Sequence, residues 1–75
     1  MSPSIHQKDY KQIINRLREA RIAAELTQVE AADKLGKPQS YVSKIELGER
    51  RLDVAELKRF ADLYKKPTSF FFSHD

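Results

Sequence analysis

Residues 27–48 read TQVEAADKLGKPQSYVSKIELG, and their spacing predicts two short helices joined by a tight turn. Thr27 stands as N-cap with Glu30 three residues on, the reciprocal box in which each side chain satisfies a backbone N–H that the first helical turn leaves without a partner. Ala31, Ala32 and Leu35 are the inward positions of this helix. Gly36 falls where helices most often close on a left-handed residue, and Pro38 just beyond it suits the start of another helix. One helix therefore stops and a second begins within a few residues.

The second helix is expected over residues 39–47, with Val42 and Ile45 as an i, i+3 apolar pair that holds one side to a core. Its other positions carry Gln39, Ser40, Tyr41, Ser43 and Lys44. A surface helix without a special role is usually dressed in Glu and Lys. Here amide and hydroxyl groups and one cation predominate, and these suit base edges and phosphates.

On these residues the segment resembles the helix-turn-helix of the lambda-repressor-like, or Xre/Cro, family of bacterial and phage transcription regulators. Gln28 opens the first helix, Ala32 and Leu35 face inward, Gly36 makes the turn, Gln39 to Lys44 form the polar reading segment, and Ile45-Glu46-Leu47-Gly48 closes it. Upstream stands Leu17-Arg18-x-x-Arg21 and downstream Leu57-x-x-Phe60-Ala61, so the likeness runs from about residue 13 to residue 71. The resemblance implies an all-α, compact bundle of five helices with the helix-turn-helix at helices 2 and 3. It also implies a salt bridge between Arg21 and Glu46 and a Gln28 that binds a phosphate and braces Gln39. Two positions depart from the family pattern: Ala31 replaces a larger aliphatic residue, and Leu47 stands where a polar residue is frequent.

Working outward, the first helix is expected from about Asp9 or Tyr10 to Glu25, because Tyr10, Ile13, Ile14, Leu17, Ala20 and Ala24 keep one apolar stripe. Residues 1–9 lack periodicity and read as a flexible N-terminal segment, or a short arm in which only Lys8 supports a groove contact. Residues 48–52 read as a loop. Asp53 is the next N-cap, with Glu56 at the capping-box position, and Val54, Leu57, Phe60, Ala61 and Tyr64 are expected to form a buried face. Pro67 follows, then a last helical turn over residues 68–72. The helix-turn-helix domain is thus expected over residues 10–72, with a C-terminal tail at residues 73–75.

With 75 residues the chain is read as one domain with a modest core, lacking room for a catalytic domain beside a DNA reader. It has no Cys, so neither disulfides nor a thiolate metal site can stabilise it. The balance of 14 Lys+Arg against 11 Asp+Glu, net +3, points only weakly to nucleic acid. Placement matters more, since Lys37, Lys44, Arg50 and Arg51 cluster around the second helix of the motif. No long apolar run predicts a membrane span or leader, so a cytoplasmic location, nucleoid-associated when bound to DNA, is expected.

Gln39 is the leading base reader, since its amide both donates and accepts, matching adenine N6 and N7. Ser40, Ser43 and Lys44 join it, Lys44 suiting guanine and Ser43 suiting a base or a phosphate. Lys37, Arg50 and Arg51, with Gln28, are candidate phosphate contacts. Tyr41 has two readings: a phosphate donor, or a ring packed on the loop that follows. Of Phe70, Phe71 and Phe72, at least one is expected at the surface, and the family's C-terminal helix commonly supplies a dimer contact. The only histidines, His6 and His74, are terminal, and no phosphate loop or catalytic cluster exists, so no enzyme, cofactor, metal or small-molecule ligand is expected. The leading expectation is a homodimeric, sequence-specific regulator that binds an inverted-repeat operator in double-stranded DNA. The competing one is a protein-interaction or antitoxin-type adaptor that retains the fold.

Overall fold

A computed structural model describes residues 3–72, with side chains from Lys8 onward. Among the described residues four α-helices follow one another, α1 Pro3–Ala23, α2 Gln28–Leu35, α3 Gln39–Glu46 and α4 Val54–Tyr64, before a 3-10 turn at Thr68–Phe72. The expected count of five α-helices is therefore corrected to four. The last segment follows Pro67, and its Phe70 N–H bonds the Pro67 carbonyl at 3.0 Å, the i to i+3 pattern. So short a segment gains too few α-type bonds to offset the cost of starting an α-helix.

Helix α1 begins earlier than its apolar stripe. Pro3 occupies the first helical position, where its fixed φ is already helical and its missing N–H costs nothing. Residues 3–9 contain one large apolar residue, so periodicity could not reveal that extension. The C-terminal tail, residues 73–75, and the side chains of residues 1–7, His6 included, lie outside the described residues. At its other end α1 stops at Ala23 instead of Glu25, because Glu25 turns left-handed at φ 60° and the Leu26 N–H returns to the Arg21 carbonyl at 3.2 Å.

The same closure ends α2 and α4. Gly36 at φ 69° lets the Lys37 N–H reach the Ala32 carbonyl at 2.9 Å, and Lys65 at φ 59° lets Lys66 reach Ala61 at 3.0 Å. Only the first of these sites carries the residue that tolerates the conformation without cost. Lys65→Gly is accordingly expected to stabilise the protein by about 0.5–1 kcal/mol, the relief of left-handed strain exceeding the added entropy of the unfolded chain. Thermal denaturation should show a midpoint raised by a few degrees; an unchanged or lowered midpoint would refute it.

Helices α2 and α3 pack on each other, α1 lies against α3 and α4, and the 3-10 turn docks on α1 and α4. Leu17, Val42, Ile45, Phe60 and Phe71 are the largest side chains closed off from solvent. Ala20, Ala31 and Ala32 are buried among them, and their small size allows the helices to approach closely. Tyr64 is also buried, and among the described residues its hydroxyl has no hydrogen-bond partner. Val54 departs from expectation: it is 84 % exposed. As the first residue of α4, it lies ahead of the turn on which the inward positions Leu57, Phe60, Ala61 and Tyr64 are stacked.

Candidate nucleic-acid interface

Both predicted capping boxes form. Thr27 Oγ1 accepts from the Glu30 N–H at 3.1 Å while Glu30 accepts from the Thr27 N–H at 2.9 Å, and Asp53 and Glu56 exchange the same pair of bonds at 2.8 Å each. These caps fix where α2 and α4 begin. Helix α3 instead begins on Pro38, which offers no side-chain cap. Val42 and Ile45 are buried, so α3 is held by one side. Gln39, Ser40 and Lys44 are exposed on the remainder, and Ser43 is half-buried.

The orientation of α3 is set by a chain of polar contacts that starts on α1. Arg21 meets Glu46 through two parallel bonds, Nε to Oε2 at 2.7 Å and Nη2 to Oε1 at 3.1 Å. Its remaining Nη1 donates to the Leu26 carbonyl at 2.9 Å, tying the α1–α2 turn to the same group. Glu46 Oε1 also accepts from Gln28 Nε2 at 3.0 Å, and Gln28 Oε1 accepts from Gln39 Nε2 at 2.8 Å. The contact with Glu46 holds the Arg21 guanidinium more firmly protonated than usual, against the opposing effect of its burial. Arg21, Glu46, Gln28 and Gln39 thus form one line of hydrogen bonds, from a half-buried ion pair to the exposed start of α3.

The cations surrounding α3 differ in their commitments. Lys37 is exposed, its ammonium 5.3 Å from the centre of the Tyr41 ring. Arg50 pairs with Glu56 at 3.1 Å and also lies over Tyr41, whereas Arg51 lies over Tyr10. Tyr41 stacks on Phe60 with ring centres 6.0 Å apart, and its hydroxyl donates to Glu56 at 2.9 Å. Burial and that carboxylate push the Tyr41 hydroxyl up to about 12. Of the two readings of Tyr41, the geometry of the chain by itself is that of a packed ring, with the hydroxyl proton given to Glu56.

The three phenylalanines also separate. Phe71 is closed off from solvent and belongs to the core of the chain itself. Phe70 is half-buried, edge-on to Phe71 and flanked by Arg16 and Lys66 over its ring. Phe72 is 55 % exposed.

Two contributors were not singled out from sequence. Glu56 was visible only as a cap, and nothing in its spacing indicates that Tyr41 and Arg50 converge on it. Tyr10 belongs by its spacing to the core stripe of α1, yet its hydroxyl donates to the Arg50 carbonyl at 2.8 Å, joining α1 to the loop after α3. A tyrosine at the solvent edge of an apolar stripe is the available signal for such a polar tether. Among the described residues no group of acidic or histidine side chains is placed to hold a metal ion, and no helix is long and apolar enough to cross a membrane.

A family model described as helix-turn-helix matches residues 17–71. Searches of curated proteins and of solved structures find no match. The match covers most of the chain, including the pair α2–α3 and the residues that brace it. The chain belongs to the Xre/lambda-repressor-like helix-turn-helix family, a family of DNA-binding regulators.

Proposed function

We propose that this protein is a sequence-specific regulator of transcription that reads double-stranded DNA with α3 in the major groove and acts as a homodimer on an inverted repeat. The observation that carries this reading is the polar, exposed start of α3 held by the Arg21–Glu46–Gln28–Gln39 line. A helix braced in this way presents its side chains without further ordering, which is what selective recognition requires. Gln39, Ser40, Ser43 and Lys44 are proposed to meet bases. Gln28, Lys37 and the loop that follows α3 are proposed to line the phosphates. Phe72, exposed beside a shallow cavity of about 340 Å³ formed by Asp9, Gln12, Ile13, Phe71 and Phe72, is the proposed centre of the dimer contact. Two reading helices related by its axis would then meet half-sites about 10 base pairs apart, centre to centre.

Selection of bound sequences from a random duplex library tests the reading, because it yields both a half-site and its spacing. Recovery of no preferred sequence would refute it. On the selected site, Gln39→Ala or Lys44→Ala is expected to cost about 1–3 kcal/mol and relax selectivity at one base pair. Lys37→Ala should weaken binding to selected and random duplexes alike and make the salt dependence shallower. A uniform loss for Gln39→Ala would remove it from the base-reading set.

A further inference from the structure

The loop between α3 and α4 carries two adjacent arginines whose side chains are held in opposite ways. Arg50 is engaged inward. Its Nη1 lies 3.1 Å from Glu56 Oε2 and donates to the Arg51 carbonyl at 2.8 Å, and the guanidinium sits 4.7 Å above the Tyr41 ring. The same Glu56 accepts the Tyr41 hydroxyl at 2.9 Å and the Asp53 N–H at 2.8 Å. Its carboxyl is held below the usual range, first by the Asp53 N–H and further by Arg50 and Tyr41, so it remains charged. The Tyr41 ring rests on buried Phe60, and the Arg50 carbonyl accepts the Tyr10 hydroxyl at 2.8 Å. The loop is therefore tied to α1, α3 and α4 at a single residue.

Arg51 has no such partner. Its guanidinium lies 4.7 Å above the Tyr10 ring, and among the described residues no carboxylate pairs with it. A ring beneath a guanidinium leaves the N–H edges free for an anion, whereas the Glu56 carboxylate engages Arg50 through Nη1 and compensates its charge.

Given the DNA-binding reading above, we infer that Arg51 is the phosphate contact of this loop and that Arg50 is a positioning residue, which with Tyr41 and Glu56 fixes where Arg51 stands beside the reading helix. Counterion release follows from the first arginine and register from the second. An arginine that must leave Glu56 and the Tyr41 face to reach DNA exchanges one charge-assisted contact for another. An arginine held only by a ring adds its phosphate contact without giving up a carboxylate.

The test uses the full chain and two duplexes, the selected site and a random sequence, titrated over a range of salt. Arg51→Ala is expected to reduce the slope of log affinity against log salt by about 0.9 and to weaken both duplexes by the same factor. Arg50→Ala is expected to leave the slope unchanged and weaken the selected duplex about fivefold to tenfold with little effect on the random one. Tyr41→Phe, which keeps the ring on Phe60, should reproduce the Arg50→Ala pattern, and the double variant should lose no more than Arg50→Ala alone. Amide hydrogen exchange at residues 49–53 should quicken in Arg50→Ala and Tyr41→Phe but not in Arg51→Ala. Equal slope changes for the two arginines, or additive losses for Tyr41→Phe and Arg50→Ala, would overturn the assignment. A wild-type protein that shows no preference for any duplex overturns the sequence-specific reading, whereas an unchanged salt slope for Arg51→Ala on the random duplex overturns its phosphate role alone.

Discussion

Arg21→Ala is expected to lower stability by on the order of 3 kcal/mol, because it leaves the Glu46 carboxylate without its cation. Only 6 % of the Glu46 side chain and 11 % of the Arg21 side chain reach solvent, so the carboxylate depends on its protein partners more than a surface group would. Gln28 still donates to Glu46 and the pair is only half-buried, which keeps the expected loss at the lower end of the range for a broken ion pair. A chain of this length has a total stability of roughly 4–11 kcal/mol, so even that loss consumes a large share. DNA affinity should fall with it, since the unpaired carboxylate sits at the end of the reading helix and repels phosphate. Adding Glu46→Gln removes that charge and should restore part of both losses. Denaturant unfolding of the two single variants and the double variant closes the cycle, and simple additivity would contradict a coupled pair.

Phe71→Ala and Phe72→Glu, one residue apart, are expected to act on different properties. Phe71 is closed off from solvent where the 3-10 turn meets α1 and α4, and its removal should cost about 3–5 kcal/mol through lost burial and the cavity left behind. Much of the protein would then be unfolded or frayed at its C-terminal end, visible as lost helical ellipticity and a broad, low thermal transition. Phe72 is 55 % exposed, and a charge there should change stability by about 0.5 kcal/mol or less. If Phe72 centres an isologous contact, the same charge appears twice at the axis and drives the protein to monomer. Sedimentation should then show half the mass at unchanged helical content, and affinity for the full inverted repeat should fall far more than for a half-site. A dimer that survives Phe72→Glu moves the contact elsewhere, and a wild-type monomer with full affinity for one asymmetric site rejects the symmetric arrangement.

The contrast between these neighbours illustrates which information is local and which is not. Thr27 with Glu30 and Asp53 with Glu56 were legible as caps because each box closes within four residues, and Gly36 was legible because its conformation excludes most other side chains. The inward positions of α2 and α3 followed from helical spacing alone. Three helices, the turn between α2 and α3 and the exposed polar set of α3 were therefore written in short-range pattern.

Tertiary structure decided what depends on distance in sequence. Which of three consecutive phenylalanines turns inward is set by the angle at which the 3-10 turn meets α1, and no periodicity over five residues encodes it. Val54 satisfies the helical spacing of α4 yet faces solvent, because no neighbouring element reaches that end. The convergence of Tyr41, Arg50 and Asp53 on Glu56 joins a helix, a loop and a cap that are adjacent only once α3 and α4 have packed. Arg21 and Glu46 are 25 positions apart, and the family resemblance alone suggested their pairing before the fold brought them together. Local rules state which backbone groups a segment can satisfy by itself; which charges and rings meet is decided by how the buried faces fit, a property of the whole chain.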